Sequence, residues 1–229
     1  MPFPKKILFL FAFVIVFFTS CLNSKKMEKI VFSHYGEMPA LKANTQSPNV
    51  KVETDLTNGS HEKIMSTSTK KKVKFLFLLL YWHEHNMLET KLNQKIPVNQ
   101  FINSIYQFSK NSRISEKLKD GMLTLEIVKV PGTYSFHVDS HGALLLVEWD
   151  KIYLAPSGED LIVNYSFVKE GQPAKNGKVE IKDPNKLYGL GYFQSLKAAT
   201  HDYLTAYDNF YKNAGKMVLD KIVAELESN

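Results

Sequence analysis

The stretch YFQSLKAATHDYLTAYDNFYKNAGKMVLDKIVAELE, residues 192–227, decides the fold. Tyr203, Tyr207, Phe210, Ala214, Val218, Ile222 and Leu226 recur at spacings of three and four, which places them on one stripe of a long helix. Asp202, Asp208, Lys212, Lys216, Asp220 and Glu225 occupy the remaining surface. Gly215 is the one weak point, expected to bend or divide the helix at a cost of about 1 kcal/mol relative to Ala. A helix with an apolar stripe needs a surface to lie on, and the residues upstream supply strands.

Lys178–Lys182 alternates lysine with other residues and reads as an edge strand, since lysines guard edges. Leu161–Val168 alternates after a Pro156-Ser157-Gly158 turn, and Met122–Val130 alternates before Pro131-Gly132. Tyr134–Val138 and Ala143–Leu154 flank Ser140-His141-Gly142, which reads as a hairpin connection. Pro97–Ser109 is predicted as a helix, with Pro97 in its first turn and Phe101, Ile105 and Phe108 at helical spacing. Val73–Trp82 is a continuous apolar run that fits a strand buried on both faces and is too short to span a bilayer. Val50–Leu56 reads as a short strand and Thr57–Thr69 as a loop.

The order of strand, helix, several antiparallel strands and a long helix predicts an α+β fold. It is a mainly antiparallel sheet with a short helix and a long C-terminal helix packed on one face. Residues 1–20 read as a leader, 21–49 as a tether carrying Lys25, Lys26, Lys29, Pro39 and Pro48, and 50–229 as one domain.

At 229 residues, 44% hydrophobic and 12% aromatic, the chain has the composition of a globular protein with a substantial core. The formal charge is +6 but scattered: Lys70-Lys71-Lys72 with Lys74 is the one tight basic run, and Arg113 is the sole arginine. Nucleic-acid binders cluster arginine for phosphates and base edges, so a nucleic-acid partner is not expected. The aromatic series Tyr188, Tyr192, Phe193, Tyr203, Tyr207, Phe210 and Tyr211 is heavier than a buried stripe needs. A helix–sheet core accounts for most of it, and a partner or lipid groove for the excess.

Met1–Lys6 is short and basic, Ile7–Phe18 is an unbroken apolar run of 12 residues, and Thr19-Ser20-Cys21 follows. That is the pattern of a secretory signal. Phe18-Thr19-Ser20-Cys21 resembles the bacterial lipobox, with Phe18 in place of the usual Leu. The resemblance implies cleavage before Cys21 and acylation of its thiol, and therefore a membrane partner held through lipid on Cys21. Loss of Lys5 and Lys6, the only charges in the leader, takes the +6 to about +4. With Leu22 rather than Asp after the cysteine, the resemblance places the mature protein at the outer membrane of a Gram-negative cell, with the membrane face left open. Cys21 is the single cysteine, so a disulfide within the chain is excluded.

His83-Glu84-His85 is the most suggestive local group. On a strand, His83 and His85 point to the same face, a spacing that suits two zinc or copper ligands, with a third from His137, His141 or a carboxylate. A solvated strand end is the alternative. His137, Asp139, Ser140 and His141 lie close in sequence, but the chain contains none of the patterns G-x-S-x-G, G-x-G-x-x-G, P-loop, H-E-x-x-H or EF-hand. No catalytic residue and no cofactor is assigned.

The lipobox followed by strand, helix, strands and a long helix resembles the auxiliary lipoproteins of ABC-type transport systems in element order only, so no site residue is carried over. The expectation is an outer-membrane-anchored lipoprotein acting as a non-enzymatic binding or assembly module of the cell envelope, with an envelope protein or lipid as partner. The alternatives are a metal-binding periplasmic protein using His83 and His85, or a lipid-binding transport accessory.

Overall fold

The computed structural model describes residues 24–36, 47–56, 65–76, 79–143, 146–156, 158–183, 187–190 and 194–228. In chain order the elements are α1 (Ser24–Tyr35), β1 (Val50–Glu53), β2 (Met65–Leu76), β3 (Leu79–Lys91), α2 (Lys95–Ser109), α3 (Ser112–Leu118) and β4 (Gly121–Lys129). There follow β5 (Thr133–Ala143), β6 (Leu146–Pro156), β7 (Leu161–Lys169), β8 (Lys175–Ile181), β9 (Tyr188–Gly189) and α4 (Leu196–Ser228).

Strand alternation sorts these elements into two sheets. One has the order β1-β4-β7-β8, with β1 parallel to β4 and the other pairs antiparallel. Its inward residues are Leu123, Leu125 and Ile127 on β4, Leu161, Val163, Tyr165 and Phe167 on β7, and Val179 and Ile181 on β8. The second, antiparallel throughout, has the order β2-β3-β5-β6-β9. It sends Leu88, Tyr134, Phe136, Val138 and Leu154 to the same core. Each such aliphatic or aromatic side chain contributes about 1.5–3 kcal/mol on burial. The fold is α+β, with the long C-terminal helix against the strands.

α4 runs unbroken through Gly215, against the expected bend. Gly215 is instead the point where α4 and α2 touch. Its N–H donates to Ser104 Oγ at 3.1 Å, and Ser104 Oγ donates to the Lys212 carbonyl at 2.7 Å. A Cβ at Gly215 would stand 2.6 Å from Ser104 Oγ and against the Ile105 backbone. Gln100 meets Asp208 while Ser104 meets Lys212, so the contacts advance together and the two helices run in the same direction.

The C-terminal half of α4 lies over the four-stranded sheet, where Tyr165 OH donates to Glu225 at 2.6 Å and Lys221 Nζ to the Glu180 carbonyl at 2.8 Å. Its N-terminal half reaches the second sheet, with the Tyr203 and Tyr134 rings 5.2 Å apart. The chain crosses between sheets at Pro131-Gly132, and the Pro131 carbonyl there accepts hydrogen bonds from both Tyr207 OH and Tyr211 OH. Tyr203, Tyr207, Phe210 and Tyr211 are all buried, so the helical part of the aromatic series is absorbed by the core rather than by a groove.

Several boundaries differ from expectation. The Val73–Trp82 run holds the end of β2 and the start of β3, because an apolar hairpin reads as one strand when its turn lacks Gly or Pro. Met65–Thr69, read as loop, is strand. β5 runs on through Ser140-His141-Gly142 to Ala143, so the predicted connection is strand. Ser24–Tyr35, read as tether, is a helix docked on α4 through Met27 and Ile30, both buried. β8 is an edge strand, as its lysines suggest.

Gly215→Ala should lower the unfolding free energy by about 1–3 kcal/mol in urea denaturation, because the added methyl meets helix backbone that cannot yield as a side-chain tip would. A second expectation concerns alkaline stability. Burial pushes the phenols of Tyr35, Tyr134, Tyr203, Tyr207 and Tyr211 well above their ordinary value near 10. Tyr165, buried and bonded to Glu225, is pushed up to about 12. A folded-state value above the unfolded one gives stability that is present below about pH 10 and lost as pH rises past it. Absorbance at 295 nm should therefore show these tyrosines ionising together with unfolding, whereas smooth ionisation near pH 10 in the folded protein would contradict their burial.

Candidate functional site

Alternation along β3 puts His83, His85, Met87 and Glu89 on one face of the five-stranded sheet, the one turned away from Leu88 and Thr90. The register with β5 then sets His83 opposite His141, His85 opposite Asp139, Met87 opposite His137 and Glu89 opposite Ser135. On the far side of β5, His137 is opposite Tyr153 of β6. Directly opposed residues share a face, so backbone pairing alone gathers four imidazoles, the carboxylates of Glu89 and Asp139 and a phenol on one half-exposed surface. The β5–β6 register shifts between Asp139 and Ser140, which places Asp139 beside a bulge, where strands commonly re-aim a side chain.

Four of these residues form a chain of hydrogen bonds. Asp139 Oδ1 accepts from His85 Nδ1. His85 Nε2 lies 3.3 Å from His137 Nδ1, and His137 Nε2 lies 2.6 Å from Ser135 Oγ. An ionised carboxylate only accepts, so His85 Nδ1 carries a proton. With both rings uncharged, His137 Nδ1–H donates to His85 Nε2, and Ser135 O–H donates to His137 Nε2. Tyr153 stacks on His137 with ring centroids 4.6 Å apart and planes 7° from parallel. Burial first, and the neighbouring His85 second, push the His137 imidazole below its ordinary value, with Asp139 opposing, so His137 is held neutral.

His83 and His85 do share a face, as their spacing requires, but they do not converge on one point. His85 turns to Asp139 and His137, while His83 sits opposite His141, whose ring lies 6.3 Å from Tyr81. Among the described residues, no group of three or more His, Cys, Asp or Glu surrounds a common point. Ser140 is buried on the opposite face and donates to the Glu84 carbonyl, so it does not meet His137 or Asp139. Ser135 does, and sequence reasoning missed it. The i, i+2, i+4 spacing of Ser135, His137 and Asp139 was visible, but only a strand continuous to Asp139 puts all three on one face.

The order serine, histidine, histidine, aspartate suggests acyl transfer, and the strand argues against it. Ser135 pairs with Glu89 on one side and Ala155 on the other, so the backbone amides around it are committed to two ladders. A tetrahedral intermediate at Ser135 Oγ would find no pair of strand amides free to stabilise its oxyanion.

A second polar cluster joins three helices. Asp208 of α4 accepts from Tyr35 OH at 3.0 Å and from Gln100 Nε2 at 2.9 Å, and His34 Nε2 lies 3.0 Å from its other oxygen. His34 Nδ1 contacts His201 Nδ1 at 2.9 Å, and His201 Nε2 contacts Ser33 Oγ at 3.2 Å. One carboxylate thus ties α1, α2 and α4 together, so the cluster is a fastening for α1. Asp208→Ala leaves three donors without their acceptor and should cost about 1–3 kcal/mol in urea unfolding. A stability equal to the parent would contradict that role.

Cys21 lies outside the described residues. No protein-family model matches the chain, and neither a curated protein nor a solved structure matches it.

Proposed function

We propose that the chain is an outer-membrane-anchored lipoprotein of the cell envelope, a non-enzymatic binding or assembly module held on the bilayer by acyl chains on Cys21. The observation that carries the reading is the order of Lys5-Lys6, the 12-residue apolar run and Phe18-Thr19-Ser20-Cys21. Two or more acyl chains anchor firmly, because each buried methylene contributes about 0.8 kcal/mol.

The docking of α1 adds a constraint that a long tether would lack. Only Leu22 and Asn23 separate Cys21 from Ser24, so even a fully extended chain reaches about 11 Å from the acylated residue to the helix. Since α1 is fastened to α4, that distance bounds how far the start of α1, and the part of the domain it docks on, sits from the anchor. Lys26 and Lys29 are exposed on α1, the sign of charge that anionic headgroups attract. The binding surface in this reading is the histidine-bearing face of the five-stranded sheet, which the core helices leave half-exposed.

A metal-binding reading is favoured by one observation, the facing nitrogens of His85 and His137. The lipid-accessory reading has less support, because the tyrosines of α4 that suggested a groove are buried in the core.

Intact mass of the membrane-extracted protein tests the anchor. A species beginning at Cys21 with added acyl mass, absent from the Cys21→Ala variant, is expected. An unmodified chain retaining residues 1–20 would sink the lipoprotein reading.

A further inference from the structure

We propose that His85 Nε2 and His137 Nδ1 form a binding site for a divalent transition-metal ion of the Zn²⁺ or Cu²⁺ class, with the remaining coordination positions open to solvent or to a donor from a partner. The site is independent of the lipid anchor.

The geometry rests on three facts. The two nitrogens face each other at 3.3 Å. A tetrahedral ion with metal–nitrogen bonds of about 2.0–2.1 Å sets its ligand nitrogens about 3.3–3.4 Å apart, so the observed separation matches that of two ligands on one ion placed to one side of the line between them. Each ring is also held from behind. Asp139 grips His85 Nδ1, the carboxylate–histidine arrangement that orients metal-bound imidazoles, and Ser135 Oγ holds His137 Nε2 at 2.6 Å. Finally, the stacked Tyr153 ring, 4.6 Å from the His137 ring and 7° from parallel, fixes the plane of His137.

Where both imidazoles start uncharged, binding requires no net loss of protons. In that form the metal-free His137 carries its hydrogen on Nδ1, facing His85 Nε2. When the ion takes Nδ1, the hydrogen moves to Nε2, and Ser135 Oγ changes from donor to acceptor. His85 keeps its Nδ1 hydrogen on Asp139 and presents the Nε2 lone pair. A hydroxyl is suited to the position behind His137 because it serves in either sense, whereas a carboxylate or an ammonium group would not.

This assignment differs from the H-x-H pairing in the sequence. His83 and His85 share a strand face, but His85 turns to Asp139 and His137 while His83 sits opposite His141. His85 and His137 lie diagonally across the β3–β5 ladder, where the side chains meet.

Isothermal titration of the detergent-solubilised full chain with Zn²⁺ tests the site, with far-UV circular dichroism to establish that each variant is folded. One equivalent should bind with micromolar affinity. His85→Gln and His137→Gln should each weaken it by at least 30-fold, and Asp139→Asn by 10- to 100-fold, the usual range for loss of an outer carboxylate. His83→Gln should leave it within two-fold. Absence of stoichiometric binding, or binding that depends on His83 and survives His137→Gln, would overturn the proposal. Loss of fold in a glutamine variant is met by imidazole ¹⁵N shifts in the parent chain: Zn²⁺ must move His85 Nε2 and His137 Nδ1 together, and unmoved signals would equally overturn it.

Discussion

The Pro131 carbonyl, gripped by Tyr207 and Tyr211, is the contact on which the two-sheet arrangement turns. Both sheets have one apolar face, and both could bury it separately. What makes them one core is that the chain passes from β4 into β5 at Pro131-Gly132 while α4 lies across the crossing. At 33 residues and 1.5 Å per residue, α4 is about 50 Å long, enough to serve both sheets. Proline contributes no N–H at this corner, and its carbonyl is buried, so partners from outside the strand ladders are required. Two phenols from one helical turn meet that requirement and fix the sliding position of α4. Gly215 and Ser104 then fix its distance from α2.

Those fixed distances make the polar face of the second sheet orderly. Leu88, Phe136 and Leu154 are sealed into the core, so the residues between them on β3, β5 and β6 must face outward. Register is specified by the buried face, and the exposed face inherits it. The convergence of His85, His137 and Asp139 is therefore a consequence of core packing on the opposite side of the same strands. A one-residue slip would separate the three and also expose Leu88, which explains how a half-exposed cluster keeps a defined geometry.

The parts of this structure legible in the sequence were those with a regular period. The α4 stripe, the alternation of β4 and β7 and the lysine-marked edge β8 all follow from spacing, because their apolar faces meet a single partner surface. The misread segments had conflicting local signals. Gly142 and Ser140 look like a turn but sit inside β5, where pairing to strands on both sides outweighs local preference. The β2–β3 hairpin carries no Gly or Pro at its tip, so nothing in the apolar run announces two strands. α1 was hidden by its lysines. Its inward apolar residues Met27, Ile30 and Val31 are few, and its docking depends on a long-range junction at Asp208 that no local pattern reveals. The pairing of His85 with His137 was hidden for the same reason, since it crosses strands separated by two helices and β4.

The docked α1 also changes what acylation of Cys21, as proposed, would imply. A long flexible tether would let an anchored domain search the envelope at some distance, whereas a helix fastened three residues after an acylated Cys21 would hold its docked end close to the membrane. Amide hydrogen exchange across residues 24–35 of the full chain tests the docking of α1 most directly. The account predicts protection comparable to the α4 residues that α1 packs against. Exchange at the rate of an unstructured peptide would contradict it and return the segment to a tether.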